Sequence, residues 1–189
     1  MNDRLLLRKR ILLLVVLILA VCAAFYGYDP LQRHQASREA QDTLEIMAEL
    51  IPNFGVDTGV SGIGRDPLGA MSIQETDIVG CIEIPALELI APVAAQGTEK
   101  EYFITWVSGS PVKGNFRLIG GRKDVFRGLA GVRPGDVVIF TDIDGVRYNY
   151  QAYTQLHLKD WDTADYDLML CYRTDEQTQF VLGCASVEE

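Results

Sequence analysis

The hydrophobic and polar positions of the chain divide it into three parts. Residues 11–28 are an unbroken run without charge, residues 31–50 repeat apolar positions near the helical spacing, and the chain from Asp77 onward alternates short apolar runs with turn residues. As a helix, the first run would be about 27 Å long, close to the ~30 Å hydrocarbon core of a bilayer. We therefore expect residues 11–28 to cross a membrane.

The second part, Leu31 to Leu50, is predicted to be a helix close to the membrane. Its apolar residues recur at helical intervals and charged residues fill the positions between them. Pro30 suits the first helical turn, and Pro52 ends the helix. The segment from Asn53 to Ser72 is rich in glycine and has no apolar period, which indicates a linker. The pattern leaves open whether the helix packs on the following domain or stands as a stalk.

From Asp77 the pattern is typical of a β protein. Turn residues at 133–136 and 142–145 separate apolar runs that are too short for helices. Many short strands with tight turns predict a mainly β domain, either a barrel or a sandwich. The predicted strands are Ile78–Ile84, Leu87–Val93, Phe116–Ile119, Val137–Thr141, Val146–Leu158, Leu168–Cys171 and Gln179–Val187.

The charges that flank the apolar run predict its orientation. Four basic residues lie among the first ten, and such residues stay in the cytoplasm. Small residues around Cys22 leave a cleaved signal peptide and a lipoprotein open as alternatives, and both also place the domain outside the cytoplasm. The expected organisation is a cytoplasmic basic tail (1–10), a single-pass signal anchor (11–28), a membrane-proximal helix with linker (29–76) and an extracytoplasmic β domain (77–189).

The composition limits the partners. The chain has 17 basic and 26 acidic side chains, and the basic cluster of the tail makes the remainder more acidic still. This balance argues against nucleic acid and anionic lipid as partners of the domain. Cys81, Cys171 and Cys184 all fall in predicted strands, where buried structural thiols are usual. The sequence has no CxxC pair or His/Cys cluster, so we predict no metal and no other cofactor.

An ordered series of short motifs runs through the predicted strands. In order and spacing these motifs resemble those of the sortases, the membrane-anchored cysteine transpeptidases of Gram-positive bacteria, and most of all class B. The resemblance covers about Asp77 to Val187 and implies a sortase-like closed β-barrel with short helices. The motifs are Val79–Pro85 (VGCIEIP), Ala91–Val93 (APV), Gly114–Gly120 (GNFRLIG), Phe126–Leu129 (FRGL), Arg133–Val138 (RPGDVV), Gly145–Tyr150 (GVRYNY) and Asp167–Leu170 (DLML).

The resemblance also implies where the catalytic residues should be. Sortases use a cysteine nucleophile, a histidine and an arginine, and the matching positions here hold Arg173, Gly121 and Gln179, respectively. Cys171 comes two residues before the cysteine position, on the same side of the predicted strand and about 6.6 Å from Arg173. The only histidines, His34 and His157, lie in the membrane-proximal helix and in an alternating strand, where an ordinary strand histidine is expected.

These substitutions predict a loss of activity. Without an adjacent imidazole, a thiol with an unperturbed pKa of about 8.5 stays mostly protonated at neutral pH. Gln179 carries no charge with which to stabilise an oxyanion. We expect a catalytically degenerate sortase-like protein that binds a peptide resembling a sorting signal, or another cell-envelope protein. Two alternatives stay open: an active transpeptidase that attaches proteins to the cell wall or pili with Cys171 as nucleophile, in which Arg173 lowers the pKa of the thiol, and a purely structural envelope domain.

Overall fold

The structure is a computed structural model, and it describes only part of the chain. The chain divides into two compact units, Met1–Arg38 and Glu39–Glu189, and nearly all of the first lies outside the described residues. The predicted tail and membrane anchor therefore fall outside them as well. Within the described residues, no helix is both long enough and apolar enough to span a membrane. The described ranges are 38–51, 66–98, 103–121, 125–159, 165–174 and 178–187.

Short strands make up most of the described chain. They are preceded by one helix, α1, over residues 38–50. Two 3-10 segments, Pro85–Leu87 and Arg127–Gly131, connect strands. The strands are β1 (Met71–Ile73), β2 (Thr76–Ile84), β3 (Leu89–Ala94), β4 (Ile104–Ser110), β5 (Gly114–Gly120), β6 (Val137–Asp142), β7 (Arg147–Leu158), β8 (Leu168–Arg173) and β9 (Gln179–Ser186).

The strands from β2 to β9 close into a barrel. Neighbouring strands follow the order β2, β3, β4, β5, β8, β9, β7, β6, and pairing of β2 with β6 joins the two ends. The pairs β3–β4 and β5–β8 are parallel, and the other neighbours are antiparallel. β1 forms a hairpin with the beginning of β2. The predicted mainly β fold with a closed barrel is confirmed, with eight strands in the barrel.

Alternation along the strands separates an inner from an outer set of side chains. Leu168 and Leu170 of β8 belong to the main core inside the barrel, whereas Met169 and Cys171 belong to a separate cluster. Successive side chains of a strand point to opposite sides of the sheet, so β8 contributes to both clusters. Aromatic rings fill much of the main core, and the rings of Phe116 and Phe140 meet edge to face with centroids 4.8 Å apart.

The seam that closes the barrel depends on one glycine. Gly80 of β2 is paired with Asp142 of β6. A Cβ added at Gly80 would lie 2.2 Å from the carbonyl oxygen of Thr141 and 2.8 Å from the ring of Phe140. The two strands can therefore approach each other only because position 80 has no side chain.

Helix α1 packs against the outside of the barrel. Met47 and Ile51 are 0% and 3% exposed, and they share a cluster with Ile78, Cys81 and Phe103. The helix predicted from the sequence is thus confirmed over residues 38–50, while residues 31–37 lie outside the described part. This packing answers the question that the sequence left open, because α1 docks on the domain and does not stand apart as a stalk.

Two strands were not predicted from the sequence. β4 ends in Ser-Gly-Ser, a composition typical of turns, and Gly109 within it has a positive φ of 69°. β1 begins inside the segment interpreted as a linker. The turn that joins β1 to β2, Gln74–Glu75, has φ angles of 47° and 64° without the asparagine or glycine that usually marks such a hairpin. The hairpin turn of β1 and the Ser-Gly-Ser end of β4 therefore lack local strand signals, although Ile104–Val107 of β4 consists of strand-forming residues.

Asp142 organises the turn between β6 and β7, which the sequence did predict. The side chain is 2% exposed, and its Oδ1 accepts hydrogen bonds from the backbone N–H groups of Asp144 and Val146, each at 2.9 Å. The hydroxyl of Tyr148 donates to Oδ2 at 3.4 Å. Burial raises the pKa of the Asp142 carboxyl from its ordinary 3.8, and the two backbone hydrogen bonds oppose that rise. The carboxylate form is thus stabilised by its turn and destabilised by its burial.

Asp142→Ala should lower the free energy of unfolding by about 1–3 kcal/mol, because two backbone donors lose their acceptor. Asp142→Asn keeps an oxygen at that position and removes the charge, so its stability should stay close to that of the wild type at neutral pH. Because the pKa of Asp142 is raised in the folded state, the stability contributed by this group is complete below pH 3.8 and is lost as the pH rises through the folded-state pKa.

Urea unfolding of the three proteins between about pH 4 and about pH 7 measures both effects. The stability of the wild type relative to Asp142→Asn should fall as the pH rises. A relative stability that increased with pH would contradict the raised pKa.

Candidate functional site

The carboxyl ends of β5 and β8 lie side by side at one end of the barrel, because these two strands are parallel neighbours. Ile119 is paired with Cys171, so the same register places Gly121, just beyond β5, beside Arg173. On the other side of β8, Arg173 is paired directly with Gln179 of β9. The fold therefore brings Gly121, Arg173 and Gln179 together, although they come from distant parts of the chain.

These three positions belong to a larger surface, which we name the outer face. It is the side of β7, β9, β8 and β5 that points away from the main core, and strand pairing arranges its residues in three rows. The lower row is Thr154, Gly183, Met169 and Arg117; the middle row is Leu156, Val181, Cys171 and Ile119; the rim row is Leu158, Gln179, Arg173 and Gly121.

The outer face is apolar over its middle row and at Met169 of the lower row. Met169, Cys171 and Val181 are fully buried there. Partly buried Ile119, Leu156, Leu158 and Tyr166 pack around them. Four strands about 4.8 Å apart and three rows about 6.6 Å apart give a surface of roughly 14 by 13 Å. An extended chain of about four residues covers that length.

An aromatic side chain bounds the lower end of the outer face. The ring of Tyr166 lies over Gly183, where an added Cβ would be 2.8 Å from the ring atoms. Tyr153 lies beside it with ring centroids 6.5 Å apart, and Tyr153 is 68% exposed. The close approach requires glycine at position 183, because any side chain there would displace the ring.

Cys171 faces the same side as Arg173 but lies one row below the rim. Its side chain is 0% exposed. Burial raises the pKa of the Cys171 thiol far above its usual range, and the positive charge of Arg117 opposes that effect without overcoming it. The thiol is therefore protonated at neutral pH and closed to solvent. Its location one row below the rim agrees with the two-residue offset seen in the sequence.

The rim row carries two polar side chains and the backbone of Gly121. Arg173 is exposed, and within the described part of the chain its side chain makes no hydrogen bond or ion pair. The Oε1 atom of Gln179 is buried and has no hydrogen-bond partner among the described residues. Gly121 contributes only backbone, and its N–H donates to the carbonyl oxygen of Phe103 at 3.0 Å.

His157 does not reach the outer face. It is paired with Phe180, its ring meets that ring edge to face at 5.3 Å, and Phe180 belongs to the main core. Alternation places its neighbour Leu156 on the outer face and His157 on the other side. This agrees with the expectation of an ordinary strand histidine, and His34 lies outside the described residues.

The remaining candidate groups lie elsewhere. Cys81 is buried beneath α1 and Cys184 lies in the main core, and all three described cysteines are free thiols. In the described ranges no group of three or more His, Cys, Asp and Glu side chains could hold a metal ion.

Two residues of the outer face were not singled out from the sequence. Arg117 occupies a variable position of the Gly114–Gly120 motif. It lies two residues before Ile119 on β5, and this spacing indicates that both side chains point to the outer face. Tyr166 precedes β8 in a loop, and nothing in the local sequence indicates that it folds over Gly183.

Comparison with known proteins identifies the fold. No protein-family model matches the sequence, and no curated protein sequence matches it. Among solved structures, sortase A from Corynebacterium diphtheriae gives a TM-score of 0.52 at 16% identity, over 61% of this chain and 63% of that one. The Clostridium perfringens sortase D5 transpeptidase gives 0.51 at 17% identity, over 59% and 80% of the two chains. Sortase C1 from Streptococcus agalactiae gives 0.52 at 21% identity, over 62% and 72%.

These structures are sortases of classes A, D and C, so the closer likeness to class B stays a prediction. The chain spans less than two thirds of the sortase A structure. Together with the closed barrel and the parallel pairing of β5 with β8, the comparisons lead to one conclusion: this chain has a sortase-like fold.

Proposed function

We propose that this chain is a membrane-anchored, extracytoplasmic, sortase-like protein that has lost transpeptidase activity and binds an extended peptide on its outer face. The observation that carries the proposal is the rim row, in which strand pairing brings Gly121, Arg173 and Gln179 together. The sequence resemblance assigns these three positions to the histidine, cysteine and arginine of a sortase.

Acyl transfer through cysteine needs three groups at one place: a thiolate that reaches the substrate, a proton donor for the leaving amine and a positive charge near the oxyanion. The rim row offers a guanidinium, a carboxamide and a glycine. The nearest thiol, Cys171, is protonated and buried one row away. Displacing a nucleophile by even about 1 Å lowers the reaction rate roughly a hundredfold. Cys171 lies one row, or two residues along β8, from the rim, a distance of about 6.6 Å.

Peptide binding needs a complementary surface but none of the three catalytic groups. Ile119, Leu156 and Leu158 are only partly buried, so they offer apolar surface to side chains of an extended segment, and Tyr166 limits the segment at the lower end. The resemblance to sortases, whose substrates are peptides, favours a segment that resembles a sorting signal or belongs to another cell-envelope protein. The membrane anchor in this proposal is supported by the apolar run 11–28 and the basic residues before it.

An electrophilic thiol reagent tests the state of Cys171. Alkylation by iodoacetamide at neutral pH should be at least about tenfold slower for Cys171 than for the exposed thiol of an Arg173→Cys variant, because only a thiolate in contact with solvent reacts quickly. Mass spectrometry of digested protein locates each modified cysteine. Rapid stoichiometric labelling of Cys171 in the wild type would contradict the proposed inactivity.

An active enzyme is the second candidate, and one observation favours it. Arg117 lies in the row below Cys171 and Arg173 in the row above, so the thiol has cations on both sides of the same face. The charge of Arg117 does lower the pKa of the thiol, although burial has the larger effect. In that case Cys171 would be the nucleophile, with Arg173 or Gln179 near the oxyanion, and the labelling experiment separates this candidate from the first.

A further inference from the structure

Two tyrosines form an exposed aromatic surface at the lower end of the outer face, two rows or about 13 Å from the rim. The ring of Tyr153 is 68% exposed, and its centroid lies 6.5 Å from that of Tyr166 at an interplanar angle of 43°. The proposed function gives no role to the exposed ring of Tyr153. We propose that these two rings, which we name the tyrosine platform, bind a neutral glycan by stacking against the face of a pyranose ring.

A β-bulge presents the first ring. Ala152 is paired with Cys184 and Thr154 with Gly183, so Tyr153 is the extra residue of β7. Ala152 belongs to the main core, and the bulge places Tyr153 and Thr154 together on the outer side of the strand. Bulges redirect side chains and are common beside functional sites. The exposed ring is therefore produced by a specific irregularity of the backbone.

Gly183 determines how the second ring lies. A Cβ added at Gly183 would be 2.8, 2.8 and 2.9 Å from the Cδ2, Cγ and Cε2 atoms of Tyr166. A point outside the ring that is nearly equidistant from three adjacent ring atoms lies above the ring plane. The ring of Tyr166 therefore rests with one face on the backbone of Gly183 and turns its other face away from the sheet. With the tilted ring of Tyr153 beside it, the pair forms a shallow, open surface.

The polarity of the tyrosine platform and its neighbours favours a sugar. The face of an aromatic ring carries partial negative charge and attracts weakly positive C–H groups. A pyranose presents several C–H groups on one face and carries its hydroxyls around the edge. Gln151 is exposed on the same side of β7 as Tyr153, and half-buried Thr154 follows that ring. Their amide and hydroxyl groups can both donate hydrogen bonds to sugar hydroxyls and accept them.

Other ligands suit this surface less well. The protein is acidic overall, so a polyanion would be repelled. A proline-rich helix docks in a groove lined by aromatic side chains, and a quaternary ammonium group is held by several ring faces around it. One face of Tyr166 is already covered by Gly183, so the pair offers neither a groove nor a cage. A flat, neutral ligand face needs only the open surface that is present.

Saturation-transfer NMR with the full-length protein in nanodiscs tests the proposal. The probes are the neutral oligosaccharides chitopentaose, cellopentaose and maltopentaose, together with decaproline and choline. At least one oligosaccharide should bind, with the strongest transfer to C–H protons of its rings. Tyr153→Ala should weaken that binding about three- to tenfold, because one stacked ring is lost. Tyr153→Phe keeps the ring and should bind as the wild type does.

Val137→Ala is the matched control. Val137 is 44% exposed and is paired with Gln151 on the same outer side, but it contributes no ring, so this variant should bind the oligosaccharide unchanged. Binding of none of the oligosaccharides, or equal binding by Tyr153→Ala and the wild type, overturns the proposal. Binding of decaproline or choline alone also overturns it, because the ligand is then not a glycan. None of these outcomes bears on the proposed loss of transpeptidase activity, which concerns the rim row.

Discussion

No transpeptidation of sorting-signal peptides should be detectable with this protein, and Gly121→His alone should not restore it. An imidazole at position 121 would supply a proton donor, but Gln179 would still leave the oxyanion without a cation. The thiol of Cys171 would also stay buried one row from the rim. Members of a catalytic unit act together, and loss of one already lowers the rate by about 10⁴–10⁶.

Recovery of activity should need the combination Gly121→His, Arg173→Cys and Gln179→Arg, which places all three groups in the rim row. Product formation is measured by mass spectrometry with a sorting-signal peptide and an amine acceptor. Turnover by the wild-type protein that disappears in Cys171→Ala would show that the thiol reaches the substrate and that the protein is an enzyme.

Gly80→Ala should lower the free energy of unfolding by more than about 3 kcal/mol, at the upper end of what overpacking causes. The added methyl group would meet the backbone carbonyl of Thr141 at 2.2 Å, and a backbone atom cannot move aside as a flexible side chain can. The two strands of the seam would have to separate, so the loss affects closure of the whole barrel.

Gly131→Ala is the matched control for this change. Nothing lies within 4 Å of a Cβ at Gly131, so its effect should stay within about 0.5 kcal/mol. Thermal and urea unfolding followed by circular dichroism measure both variants. Equal stability of Gly80→Ala and the wild type would mean that β2 does not lie against β6 as described.

The strands with strong local signals were predictable from the sequence. β7 alternates over most of its length and follows a turn whose aspartates and glycine are evident, and it lies within one residue of its predicted bounds. β4 was missed because its Ser-Gly-Ser end resembles a turn, and near that end its register with β5 is shifted around Gly109, whose φ is positive. Closure of the barrel depends on pairing between strands far apart in the chain, which local pattern does not contain.

The candidate site was predictable in part. The resemblance placed Gly121, Arg173 and Gln179 at equivalent positions, and alternation correctly put Cys171 on the same side as Arg173. That Cys171 is fully buried could not be derived, because its burial is due to side chains of β5, β7 and a loop. The roles of these residues stay predictions that the experiments above address.

Side chains of β8 and β9 alternate between the main core and the outer face, which ends at the rim row. Different residues therefore determine the stability of the barrel and the groups presented at the rim. Leu170 and Phe180 point into the main core, whereas Arg173 and Gln179 stand outside it at the rim. Substitutions of the first kind remove buried volume and destabilise the barrel, but substitutions of the second kind leave the core unchanged. We therefore expect point changes at the rim to alter the groups that the barrel presents there while the protein remains folded.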